Sequence, residues 1–453
     1  MSLEQYQQQC QEKLTWAVEK LQIEVDSQQL QEIAALIVQT MTGPWRYFHT
    51  PTHIFAVGGS EDPIEVLAAL FHDIVYVQID HSVHFNLAYY LAPFIKQIQA
   101  KLVIRESHQL PADEVVELVM IIFGLAPGQV LSPFGGQNEF LSALVAAKAL
   151  EKLLPLPIIA QVVAGIEGTI PFRAPTEQGL TSSEQLYHKL IAANQKFQLQ
   201  LKDEEILQTI HKSVRIANRD VSGFGNSSAC FLDNTWNLLP ETNHHLRARN
   251  AYTIQEYRIA LDKMAGFLNF LQPEVVFRQF RGQPDDLTYQ KIITQTSHNL
   301  EVGRLYLSSK IAAIALLEAL SLRFGEDISL ATMMGQLPDA RVLIPRLSNF
   351  LPEVENPYQL ETNVEKEVLN LLEKGRTQTS DYDLNNSPLA TYIVKVIGFE
   401  GVRCQLEAAQ DFFTGKISRE DFLNSCESEL TQAVTAGVSK MFDCRKAALC
   451  MDD

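Results

Sequence analysis

The segment WRYFHTPTHIFAV, Trp45 to Val57, places two histidines, His49 and His53, on either side of Pro51. Further on, ALFHDIVY sets His72 and Asp73 side by side in an apolar run. A carboxylate buried in such a run must be paired or bound to a cation, because leaving it alone costs several kcal/mol. Neutral imidazoles are the natural partners of a carboxylate around a divalent ion. Thr50 can cap a helix and Pro51 suits its first position, so His53 falls in the first turn and His49 just before the cap. A further ligand must come from a later helix. TIHKSVRIANRDVSGFGN (209–226) offers Asp220 at the end of an amphipathic stretch whose Ile210, Val214, Ile216 and Ala217 face inward. His53, His72, Asp73 and Asp220 together suit Mn, Fe, Co, Zn or Mg, with room for water and a phosphate oxygen.

The elements that must position these groups are helical. Apolar residues recur at three and four spacing over about 27–41, 62–77, 83–98, 111–125, 138–154, 156–168, 184–198 and 203–219. Ser27 is the candidate cap of the first. Two longer helical stretches lie between about 250 and 323, and further helices at about 389–414 and 418–450. Alternating strand patterns are nearly absent, so the fold class is all-α. The polar joint KGRTQTSDYDLNNSP (374–388) has the composition of a flexible linker. A domain boundary is expected near 325, dividing a region 1–325 from a helical region 326–453, with a second hinge near 380.

These residues carry a resemblance. H…HD…D is similar to the signature of the HD superfamily of metal-dependent phosphohydrolases, an all-α bundle shared with the cyclic-nucleotide phosphodiesterases. RYFHTPTHI and AALFHDIVY resemble the first two motifs of a bacterial subfamily of predicted phosphohydrolases. NLEVGRLYL resembles its C-terminal helix, so the likeness covers roughly residues 1–320. It implies a divalent cation on His53, His72, Asp73 and Asp220, and hydrolysis of a phosphate ester by a metal-activated water, with Asp220 or Asp73 helping to deprotonate it. It also implies that His49 protonates the leaving oxygen. Arg46, Arg215 and Arg219 are the candidate phosphate-binding cations, with Lys212 beside them. The chain departs from the subfamily after the HD pair. It carries VQIDHSVHFN, with Asp80, His81 and His84, in place of an acidic-Asn-Glu stretch. Those three read as a capped helix start or as support for a second metal.

Composition bounds the alternatives. The chain has 453 residues, 46% of them hydrophobic, and a net charge of −17. Such a charge disfavours direct nucleic-acid binding, while a small phosphorylated substrate remains compatible once a cation reverses the local field. The six cysteines are scattered without a CxxC pair, which suits reduced thiols and a cytoplasmic protein. Cys444 and Cys450 fall near one helical face at the tail. The N-terminus lacks the apolar core of a signal peptide, and no apolar run is long enough for a membrane span. Glu167, interrupting the apolar VAGIEGTIPF, is expected to pair with a basic neighbour, and Asn218 to bond at a helix end. Two other readings stand beside the hydrolase. One is a regulatory or scaffolding protein whose C-terminal helices bind a partner or a second copy. The other is a di-iron oxygenase, which would recruit His81 or His84 with His108.

Overall fold

The computed structural model describes residues 1–248, 251–335 and 345–449, of which the side chains of 444–449 are not included. Cys450 and the side chain of Cys444 therefore lie outside the described residues. The fold is all-α, as expected: the chain is 65% helical, with 20 α-helices and one two-stranded sheet among the described residues. No helix among the described residues is long and apolar enough to cross a membrane.

By compactness the chain divides elsewhere than near 325, into Met1–Gly223 with Gln272–Thr294, and Phe224–Leu271 with Gln295–Asp453. The first unit begins with α1 (Leu3–Lys20), α2 (Ser27–Met41), α3 (Pro51–Gly58), α4 (Pro63–Phe71), α5 (Val77–Asp80) and α6 (Phe85–Leu91). The hairpin β1 (Ile95–Ile98) and β2 (Lys101–Ile104) follows. Then come α7 (Glu114–Phe123), α8 (Gln137–Leu150), α9 (Leu156–Gly168), α10 (Ser182–Phe197) and α11 (Asp203–Asp220). α12 (Ser228–Thr242) and α13 (Ile254–Phe270) belong to the second unit, and α14 (Pro273–Val276) to the first. The 36-residue α15 (Asp286–Ser321) crosses the division after Thr294. α16 (Leu330–Met334), α17 (Asn363–Lys374), α18 (Pro388–Phe413), α19 (Arg419–Ser425) and α20 (Ser428–Leu449) complete the second unit.

Several boundaries differ from the periodicity reading for local reasons. The cap of α2 is Asp26, not Ser27: its carboxylate accepts the Gln28 N–H at 3.1 Å. The expected helix 83–98 stops at Leu91 before Pro93, and Ile95–Ile98 pairs instead with Lys101–Ile104. Proline blocks the helix and the β-branched residues favour the ladder. The stretch 62–77 ends as a helix at Phe71, so His72 and Asp73 lie in the turn that leaves it.

In the first unit α9 runs through the core, against α4, α8 and α11. Small residues let these helices approach closely. A Cβ on Gly165 would lie 2.7 Å from the Ala68 Cβ of α4, and one on Gly168 would overlap the Ser213 side chain of α11. Thus α4 and α11, which carry His72–Asp73 and Asp220 at their ends, both seat on one helix.

In the second unit the polar joint 374–388 is packed, not a solvated linker. Asp383 accepts from Lys310 Nζ (2.8 Å), Tyr257 Oη (2.7 Å) and Trp236 Nε1 (2.7 Å). Tyr382 Oη donates to the Trp236 carbonyl at 2.5 Å. The side chains of Asp383 and Tyr382 are thus satisfied within the unit, which composition cannot reveal, while Arg376 Nε and Nη1 in the same segment are buried without a hydrogen-bond partner. The expected helix 389–414 forms as α18 but kinks at Gly398, whose φ is +66°.

Candidate metal centre

Four side chains from three helix ends meet in the first unit. His53 comes from the first turn of α3, His72 and Asp73 from the turn after α4, and Asp220 from the last residue of α11. His53 Nε2 lies 3.0 Å from Asp220 Oδ1 and 3.4 Å from Asp73 Oδ2. His72 Nε2 lies 3.0 Å from Asp73 Oδ2 and 3.4 Å from Asp220 Oδ1. One ligand atom from each lies within 4.8 Å of all the others, and this is the one such group of His, Cys, Asp and Glu among the described residues.

The surroundings aim these atoms. The Nδ1–H of His72 donates to the Ala69 carbonyl at 2.8 Å, so in the neutral ring Nε2 turns its lone pair toward the site. Arg46, 7% exposed, donates from Nη1 to the Asp73 carbonyl at 2.8 Å and pairs with Asp80 through Nε (3.1 Å) and Nη2 (2.7 Å). From α8, Ser142 Oγ accepts the Val75 N–H and Asn138 Oδ1 the Val77 N–H. The turn bearing His72 and Asp73 is therefore clamped on two sides. Asp220 is placed by its neighbours. The buried Glu65 pairs with Arg215 Nη2 (2.6 Å) and Arg219 Nη2 (2.5 Å), and Arg219 Nε donates to the Val57 carbonyl of α3 at 2.6 Å.

Burial opposes charge at all four groups, and mutual attraction outweighs it. Asp220 and Asp73 raise His53 to about 9 and hold His72 well above its ordinary value. In turn, the imidazoles of His72, His49 and His53 hold Asp73 far below the carboxylate range. Asp220 is lowered to about 2, chiefly by His72 and then His53. Such a site must hold positive charge, either protons on the imidazoles or a cation.

Two observations fit a divalent cation. His72 Nε2 and Asp73 Oδ2 are buried with no hydrogen-bond partner, although they face each other across the site. The N···O spacings of 3.0–3.4 Å are also those of neighbouring ligands sharing one ion at about 2.1 Å. Mixed nitrogen and oxygen donors match Mn, Fe, Co, Zn or Mg.

Not every nominated residue joins the four. His49 stands outside the group, with its ring centroid 5.7 Å from that of His53 and 4.7 Å from that of Tyr76. Thr50 does occupy the cap position of α3, without a side-chain cap bond. Arg46, Arg215 and Arg219 are engaged by Asp80 and Glu65, and Lys212 by Asp62 at 3.0 Å. His81 takes a left-handed backbone at φ +61° and packs its ring edge-on to Trp45. His84 caps α6, its Nδ1 accepting the Asn86 N–H. Glu167, 0% exposed, pairs with Arg173 (2.8 Å) and Lys189 (3.0 Å), as expected of it. Asn218 bonds at its helix end as expected, to the backbone of Arg278.

Glu139, Arg173 and Arg278 carried no sequence signal. Glu139, partly buried on α8, is raised to about 7 by burial and then by Asp73 and Asp220. Arg173 and Arg278 come from connecting segments, which no periodicity or motif links to an HD pair.

No family model, no curated protein and no solved structure matches the chain.

Proposed function

We propose that the chain is a metal-dependent phosphohydrolase of the HD type, acting on a small phosphorylated substrate. The observation that carries this reading is the convergence of His53, His72, Asp73 and Asp220, with two of the facing atoms buried and without hydrogen-bond partners. A divalent cation held there acidifies water and draws charge from a phosphoryl oxygen. The remaining chemistry belongs to the chain. His49 stands at the rim, its ring held between Phe48 and Tyr76, where it can give a proton to the departing oxygen. Arg46 fixes the carbonyl of Asp73, and Glu65 with Arg215 and Arg219 fixes the end of α11, so both carboxylates stay preorganised. In this reading those three arginines position ligands.

The four-residue group favours one ion. His81, His84 and His108 are not among its members, so the di-iron alternative lacks its second set of ligands among the described residues. Elemental analysis of protein purified with Mn or Co present tests the reading. About one equivalent per chain is expected, and turnover in a screen of phosphomonoesters and phosphodiesters. Absence of bound metal under saturating Mn would overturn it, as would two equivalents of iron with oxygen consumption.

A further inference from the structure

The three arginines nominated for phosphate are all engaged by carboxylates, which leaves the question of what meets the substrate's negative charge. Arg278 offers an answer. Its backbone is tied to α11: Asn218 Oδ1 accepts the Arg278 N–H at 2.8 Å, and Asn218 Nδ2 donates to the Arg278 carbonyl at 2.9 Å. Asn218 is two residues before Asp220, so the same helix end carries a metal-ligand candidate and this arginine. The Arg278 guanidinium donates from Nη2 to the Ile170 carbonyl, yet no carboxylate stands within ion-pair distance of it among the described residues. A partly buried cation without a counter-ion is costly.

The neighbours add to the imbalance. Arg173 lies close enough to repel Arg278, and its own Nε is buried without a hydrogen-bond partner. Glu167 neutralises Arg173 but is shared with Lys189. Glu167, and after it Asp220 and Glu139, lie within electrostatic reach of Arg278, although none is close enough to pair with it. Burial and Arg173 pull the Arg278 guanidinium down to about 9, which leaves it charged at neutral pH. Once a divalent ion neutralises Asp73 and Asp220, the region around Arg278 has surplus positive charge and an open hydrogen-bonding fork.

We propose that Arg278 binds the phosphoryl group of the substrate beside the metal centre, with Arg173 adding to the field. The inference rests on the hydrolase reading and names the chain's own anion-binding residue in it. A guanidinium suits this role because its planar fork matches phosphate oxygens in pairs.

The test is titration calorimetry of inorganic phosphate into Mn-loaded protein, with acetate as control, for the wild type, Arg278→Gln and Arg278→Lys. Mn content is measured on the same samples. Loss of a charged, paired contact should weaken phosphate binding about ten- to hundred-fold in Arg278→Gln, with Arg278→Lys in between and Mn content unchanged. Both replacements keep a donor for the Ile170 carbonyl, so a role confined to that bond predicts equal effects and would overturn the proposal. Unaltered phosphate affinity in Arg278→Gln would also overturn it, as would acetate binding as tightly as phosphate. Should Arg278→Gln fail to fold, Arg278→Lys with wild-type phosphate affinity gives the same refutation. Failure of the hydrolase reading shows separately, as absence of Mn uptake by the wild type. Phosphate binding that still depends on Arg278 in that case would keep the anion site.

Discussion

Metal uptake by this site should expel protons at neutral pH, and the size of the effect follows from the geometry. Asp220 and Asp73 raise His53 from 6.5 to about 9, and they raise His72 in the same direction. Without metal, His53 therefore keeps its proton at pH 7, and His72 is shifted in the same direction. Each nitrogen must lose its proton to become a ligand. An ordinary imidazole would weaken binding less than about two-fold at pH 7, since its pKa of about 6.5 lies below that pH. His53 alone should weaken it about hundred-fold, two pH units below its value of about 9. The apparent affinity for Mn should therefore rise at least about tenfold between pH 7 and 8. Titration calorimetry in two buffers of different ionisation enthalpy would count the protons, and at least one should be released at pH 7. The stability of the metal-free protein carries the matching sign. A raised imidazole stabilises the fold fully below its unfolded value of 6.5, and that contribution is lost as pH rises toward 9. Thermal unfolding midpoints without metal should fall across that window, and saturating Mn should flatten the fall. Pure one-to-one Mn binding with no proton release and a flat affinity from pH 7 to 8 would refute the reasoning.

Other perturbations separate the roles of individual groups. Asp220→Ala removes a candidate ligand and should lower Mn affinity by more than the ten- to hundred-fold typical of losing an outer-shell partner, with helical circular dichroism retained. His49→Ala should leave Mn content unchanged and reduce phosphoester turnover about 10²- to 10⁴-fold, and loss of metal instead would make it a ligand. In the second unit, Asp383→Ala strands the buried Lys310, Tyr257 and Trp236 donors, and should cost about 3–5 kcal/mol in denaturant unfolding. A cost under about 1 kcal/mol would mean that water replaces the carboxylate there.

The cluster of His53, His72, Asp73 and Asp220 was legible because its chemistry conflicts with its surroundings. A histidine and an aspartate in the buried run PIEVLAALFHD violate the apolar pattern, and Pro51 marks where His53 must enter its helix. Such violations survive in one dimension. The all-α class was legible too, since a repeat of three and four residues is a local property of the chain. Legibility failed where partners are far apart in sequence. Nothing in the apolar text IEVL tells that Glu65 would hold Arg215 and Arg219, and so turn two nominated phosphate ligands into supports for Asp220. The linker-like composition of 374–388 concealed a segment whose Asp383 gathers three buried donors.

By itself, then, the sequence determined which residues could bind an ion and which helices would carry them, because residue type and helical period are written locally. Only the tertiary structure decided which charges remain uncompensated. Compensation depends on distance in space, and the close seating of α4 and α11 on Gly165 and Gly168 of α9 brings those distances about. Arg278, tied to the end of α11 through Asn218, is left without an ion-paired carboxylate among the described residues.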